Sequence, residues 1–178
     1  VVSDALVPAA ITESLSDWAE VVDRRTIGDG SQAAINSFLI REAMMGRRVV
    51  RLKGGDPFLF GRGGEEAERL AASGIPFEIV PGVTSISAVP AYAGIPATHR
   101  EHCSSITVLT GHEQPDKSDS TIDWEHVARE SGTKIILMGI ERLRSITERL
   151  RQNGLADDTP AALVRWGTTS RQQTLAGT

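Results

Sequence analysis

The residue types that can do chemistry crowd into one glycine-rich stretch, Lys53-Gly54-Gly55-Asp56-Pro57, continued by Gly61-Arg62-Gly63-Gly64-Glu65-Glu66. Gly54 and Gly55 can adopt positive φ and let a ligand lie against main-chain atoms with no Cβ in the way, and Asp56-Pro57 places a carboxylate at a turn. Asp56 suits two roles, a turn starter or a partner for a hydroxyl or ammonium group. Arg24, Arg25, Arg62, His99 and Arg100 form a second group. Singly each reads as a solvated surface residue, but gathered in loops on one side of a sheet they suit a substrate with many carboxylates. His99 and His102 raise the question of a metal, yet Cys103 is the only cysteine and no acidic cluster stands at ligand spacing, so no metal is expected.

The elements that must position these residues alternate. A strand is expected over residues 47–52, the glycine stretch follows it, and a helix begins near Glu65 and Glu66, whose charges favour a helix N-terminus. Loops that follow strands in α/β sheets are where ligands bind. Upstream, the chain opens as the end of a strand, and Pro8 starts a short helix to about Leu15. Residues 18–23 have a β-like content, and Ser31 caps a helix with Ile35, Phe38, Leu39 and Ala43 on its buried face and Gly46 at its end. Downstream come a strand over 77–80, a small-residue helix capped by Thr84 or Ser85, and a strand over 106–109. A polar, turn-rich surface loop is expected over 111–121 and a helix from Asp123. Then follow a strand over 134–138, an amphipathic helix over 142–152 ended by Asn153-Gly154, and a strand over 160–165 with a turn at Trp166-Gly167-Thr168-Thr169. This alternation indicates an α/β fold with a largely parallel sheet. A domain boundary is placed where the pattern breaks, giving domains 1–101 and 102–178. On residue type alone Met138 reads as a core methionine, and Asp4 as a cap or turn residue.

Composition narrows the function classes. With 178 residues and 40% hydrophobic content the chain can bury a core, and 4% aromatic residues supply no stacking platform for single-stranded nucleic acid. The net charge of −4 argues against a general polyanion-binding surface, so no nucleic-acid partner is expected. A single cysteine fits a reducing, cytoplasmic setting, and no apolar run reaches the length of a membrane span, so no membrane association is expected.

Four blocks carry a resemblance: residues 53–66, Val80-Pro81-Gly82-Val83-Thr84-Ser85, Ala93-Gly94-Ile95-Pro96-Ala97-Thr98-His99-Arg100, and Thr110-Gly111-His112. In this order and spacing they resemble the uroporphyrinogen-III C-methyltransferases of the tetrapyrrole methylase superfamily. The resemblance implies two small α/β domains with the cofactor site between them, a homodimer, and methylation of uroporphyrinogen III at C2 and C7 to precorrin-2, on the way to sirohaem or cobalamin. S-adenosylmethionine would be the methyl donor and S-adenosylhomocysteine the product. By the same resemblance Gly54, Gly55, Asp56, Leu59, Thr84, Ser85, Met138 and Gly167 contact the cofactor, and Asp4 is the proton acceptor. The family's lysine proton donor belongs to a Gly-Lys-Arg segment that here reads Asp23-Arg24-Arg25. Arginine keeps the charge but cannot readily donate a proton, so no lysine donor is assigned there. The resemblance also implies a strand and a Gly-Pro-Gly-Asp-Pro loop before Val1 and further strands after Thr178. Two alternatives share the motifs, a later corrin-pathway C-methyltransferase and a non-catalytic tetrapyrrole-binding domain. A dinucleotide oxidoreductase is disfavoured, because no Gly-x-Gly-x-x-Gly opens a helix after the first strand.

Overall fold

Val2 and Ser3 are the pivot of the N-terminal half. Both are buried, and their strand β1 (Val2–Ser3) pairs in parallel with β2 (Val22–Asp23) on one side and β3 (Arg51–Leu52) on the other. The order is therefore β2-β1-β3. The computed structural model describes residues 1–15, 17–113 and 120–178, so most of the loop expected over 111–121 lies outside the described residues. The chain forms two compact units, Val1–Thr84 and Ser85–Thr178, a division earlier in the chain than the domain boundary expected after residue 101.

In the first unit, α1 (Ala9–Leu15) follows β1, a 3₁₀ turn (Arg24–Thr26) follows β2, and α2 (Gln32–Met44) crosses to β3. Ser31 begins α2 by accepting a hydrogen bond from the Ala34 N–H at 3.2 Å. Ile35 is fully buried and, with Leu39, Val2 and Ile27, makes the core of this unit. The helix ends as its glycine implies. Gly46 has φ +78°, its N–H donates to Ala43 O, and the Arg47 N–H donates to Glu42 O, the paired bonds that satisfy the last carbonyls of a helix. After β3 the glycine stretch runs into α3 (Gly63–Ala72), which buries Gly63, Glu66 and Ala67.

Some strand expectations shorten or fail, the β-like stretch 18–23 being strand only at Val22–Asp23. The apolar run 47–52 is strand only at Arg51–Leu52, and residues 77–80 form none: Phe77, Ile79 and Val80 are exposed and no described strand lies beside them to complete a ladder.

The second unit begins with α4 (Ser85–Tyr92), whose Pro90 is tolerated in a short helix. β4 (Ile106–Thr110) and β5 (Thr133–Leu137) pair in parallel along their whole length, linked by α5 (Trp124–Arg129), which Asp123 caps through the His126 N–H at 2.9 Å. A 3₁₀ turn at Ile140–Arg142 leads into α6 (Leu143–Gln152). Leu109, Val127, Ala128, Ile146 and Leu150 form the core here, the α6 members falling at i and i+4. The last pair departs from the parallel expectation: β6 (Ala161–Arg165) and β7 (Gln173–Gly177) are antiparallel. Trp166 and Thr168 take positive φ, which reverses the chain between them. Residues in β7 are exposed throughout, so no apolar alternation marked it as a strand. The α/β class holds.

Candidate functional site

β1 lies between its two neighbours, and the chain leaves it for β2, then crosses back past it to β3. Such a reversal of strand order opens a crevice at the carboxyl ends of the strands. Asp4 follows β1 at that end, and Lys53, which opens the glycine stretch, follows β3. Backbone pairing continues just past the strand, since the Asp4 N–H donates to Leu52 O at 2.9 Å.

Asp4 is surrounded by cations. Its Oδ1 is 3.3 Å from Arg24 Nη1, and its Oδ2 is 3.1 Å from Arg51 Nη2 and 3.8 Å from Lys53 Nζ. The Ala5 N–H also donates to Oδ1 at 2.8 Å. Burial alone would raise the pKa of this carboxyl, but the Ala5 N–H, Arg51, Lys53 and Arg24 together outweigh it and hold Asp4 below its ordinary range. It is therefore ionised at neutral pH. Behind these cations stands a second carboxylate, Glu66 on α3, 3.1 Å from Lys53 Nζ and 3.1 Å from Arg51 Nε. Gln32 of α2 donates to Glu66 Oε1 at 2.9 Å and to Asn36 Oδ1 at 3.1 Å. The Lys53 and Glu66 side chains are each only 6% exposed. Burial first, then the charge of Arg51, pushes the Lys53 ammonium down, and Glu66 and Asp4 oppose that without reversing it.

The glycine stretch is built so that main chain meets main chain. Gly55 has φ +75°, a conformation L side chains rarely adopt. A Cβ on Gly82 would run into the Gly55 carbonyl, so the Pro81-Gly82 loop can lie against the glycine stretch only if residue 82 has no side chain. Asp56 joins the two loops, accepting from the Phe58 N–H at 2.9 Å through Oδ1 and from the Gly82 N–H at 3.1 Å through Oδ2. Of the two readings of Asp56, the structure shows the turn former, its carboxylate fixing the loop through backbone N–H groups. Leu59 is 37% exposed beside it, and Thr84 closes the unit, half-buried. A Cβ on Gly54 would press on Leu6 Cβ at 3.2 Å.

The expected cationic cluster divides. Arg24 turns to Asp4 and donates to Gly30 O at 3.3 Å, whereas Arg25 turns outward onto Asp23, whose carboxyl it draws down to about 2 through their side-chain hydrogen bonds. Arg62, with φ +58°, forms a two-pronged pair with Glu65, Nε to Oε1 at 2.9 Å and Nη2 to Oε2 at 2.7 Å. In the second unit His99 and Arg100 occupy an exposed turn closed by paired backbone bonds between His99 and Cys103. The rings of His99 and His102 stack at 4.7 Å, and Glu101, which the sequence did not single out, joins them so that their possible ligand atoms lie within 4.8 Å of one another. All three are exposed, and the His99 Nδ1 already accepts from the Glu101 N–H at 3.2 Å.

Ser85 is the first residue of α4. Met138 stands just past β5 with φ +56° and is 54% exposed, so it is not the core methionine its type suggested. Gly167 follows β6, and a Cβ there would strike the Val89 side chain of α4, so its backbone lies tight against that helix.

Arg51, Lys53 and Glu66 were missed as members of the Asp4 cluster. For Glu66 a signal existed: with Gly63, Ala67 and Leu70 it falls at i, i+3, i+4 and i+7, the inward face of α3, where an acid needs a buried partner. Reading it only as a favourable first-turn charge hid that. Nothing in the local pattern of Arg51 and Lys53 distinguishes them from exposed basic residues beside a strand.

Known proteins match this chain in sequence and in fold. A family model described as tetrapyrrole (corrin/porphyrin) methylases matches residues 1–178. A Methanosarcina barkeri protein named S-adenosyl-L-methionine-dependent uroporphyrinogen III methyltransferase is 49% identical, over all of this chain and 71% of its own length. A Neisseria meningitidis siroheme synthase is 48% identical, again over all of this chain but over only 37% of itself. Among solved structures, a uroporphyrin-III C-methyl transferase from Thermus thermophilus complexed with S-adenyl homocysteine superposes with a TM-score of 0.81 at 31% identity, covering 99% of this chain and 74% of that one. A match along the whole chain, with near-half identity to those relatives, places this protein among the tetrapyrrole (corrin/porphyrin) methylases.

Proposed function

We propose that this protein catalyses S-adenosylmethionine-dependent C-methylation of uroporphyrinogen III at C2 and C7, giving precorrin-2 for sirohaem or cobalamin synthesis. The observation that carries the reading is that a general-base candidate, Asp4, and the glycine stretch leave the carboxyl ends of adjacent parallel strands at a topological switch point. The names of the Methanosarcina and Thermus relatives agree with it.

S-adenosylmethionine, when bound, supplies a methyl group on a positively charged sulfur. The residues here fit such a ligand at Gly55, where the left-handed backbone carries no side chain and only Val83 O at 3.7 Å stands near the place of a Cβ, while Gly82 packs against the Gly55 carbonyl and holds that backbone in position. Gly54, Gly55, Asp56 and Leu59 would hold it, with Thr84, Ser85, Met138 and Gly167 the further proposed contacts. The chain's task is then mainly to position an electron-rich pyrrole carbon in line with the methyl, where effective concentration gives most of the rate. Little hydration suits a step in which charge on sulfur is lost. The methylated pyrrole is left cationic and must release one proton for each methyl gained. Asp4, ionised and held by Arg24 and Arg51, accepts it. Its lowered pKa makes it a weak base, and a weak base suffices because a cationic pyrrole is a strong acid. Arg24, Arg25, Arg62, His99 and Arg100 are the proposed contacts for substrate carboxylates. Arg25 and Arg62 would exchange Asp23 and Glu65 for the substrate, so their contribution should be small, while Arg24 would serve Asp4 and substrate together.

Supported by the lone cysteine, we place the enzyme in the cytoplasm, and by family likeness we propose a homodimer. Light scattering at tens of micromolar would return twice the protomer mass, and a monomer alone would remove the dimer. For the reaction itself the test is Asp4→Asn: turnover should fall at least a hundredfold with S-adenosylhomocysteine affinity kept. Normal turnover would move the proton to another group.

A further inference from the structure

The carboxylate proposed as proton acceptor shares two of its three cations with another acid. Arg51 and Lys53 each contact both Asp4 and Glu66, and the Lys53–Glu66 pair is almost wholly buried. Lys53 is also the residue that opens the glycine stretch, and Glu66 lies in the first turn of α3, just beyond it. One buried ion pair therefore ties both ends of the loop and faces the end of β1. A cation fixed beside a carboxylate favours its ionised form, and an anion fixed behind that cation weakens the effect.

We propose that Lys53 and Glu66 are positioning residues that hold the glycine stretch against Asp4 and set the pH range in which Asp4 can accept a proton. The proposal rests on the reading of Asp4 as the proton acceptor. The charges facing Asp4 are Arg24 from the turn after β2, Arg51 from β3 and Lys53 beyond it, with Glu66 of α3 behind them and Gln32 of α2 bonded to Glu66. Arginine stays charged at every working pH, and Lys53 is charged throughout the acid range in which a carboxyl titrates. With Glu66 ionised against Lys53 and Arg51, removing the cation and removing the anion displace Asp4 in opposite directions. A loosened fold would displace it the same way in both.

The experiment is a carbon-13 carboxyl titration of Asp4 in the parent protein, Lys53→Gln, Lys53→Arg and Glu66→Gln, with methyl-transfer rate followed against pH in the same proteins. The Asp4 midpoint should rise by about one pH unit in K53Q, fall in E66Q, and stay near the parent in K53R. Equal midpoints in all four, or shifts of the same sign in K53Q and E66Q, overturn the proposal. Should E66Q fail to fold, Glu66→Asp draws the carboxylate back from Lys53 and must give the same downward sign. The acid limb of the rate should track the carboxyl. If the midpoint moves as stated while the limb stays still, the pair governs Asp4 as proposed and it is Asp4's role as acceptor that fails.

Discussion

At the scale of single residues, the functional stretch depends on where side chains are missing as much as on where they are present. Gly82 can approach Gly55 only without a Cβ, and Asp56 then closes the gap with a bond to the Gly82 N–H. Gly82→Ala should force the two loops apart and weaken S-adenosylhomocysteine binding roughly tenfold or more, about 1.4 kcal/mol, as read by calorimetry. Gly55→Val should do so for a different reason, since only an ordinary contact with Val83 O awaits its Cβ but its φ of +75° opposes a branched residue. Parent-like affinity in both folded variants would place the cofactor elsewhere. The residues of this loop were legible from sequence, because glycine and Asx-Pro chemistry is local. The partners of Asp4 were not, because Arg51 and Lys53 reach it across strand pairing and Glu66 reaches those two from a helix face, and no short window contains both.

Elements show the same division between local and distant causes. Ser31 and Gly46 bound α2 where the sequence placed its ends, since caps act within a turn of the helix. The strand over 77–80 and the antiparallel β6–β7 pair were misjudged, since a strand exists only through its neighbour. The energetic weight of α2 rests on Ile35, fully buried against Val2, Ile27 and Leu39. Ile35→Ala should cost about 2–5 kcal/mol in denaturant unfolding, against about 1 kcal/mol for Ser31→Ala. A smaller cost for Ile35→Ala than for the cap would mean that α2 does not carry the core of its unit.

For the molecule as a whole, the buried charges make stability depend on pH. Asp4 titrates below its ordinary value of 3.8, so the stability its ionised form contributes is complete above that value and is lost as pH falls through the folded value. Unfolding free energy should therefore be flat near neutrality on this account and decline in acid. Asp4→Asn should make the decline shallower, and an unchanged slope would separate Asp4 from the acid response. The activity is read most directly by incubating S-adenosylmethionine and uroporphyrinogen III with the protein under reducing conditions and following the tetrapyrrole mass over time. The tetrapyrrole should gain two methyl groups in succession, with one S-adenosylhomocysteine released for each. Tight S-adenosylhomocysteine binding with no methyl gained by the tetrapyrrole would contradict the proposed methyl transfer.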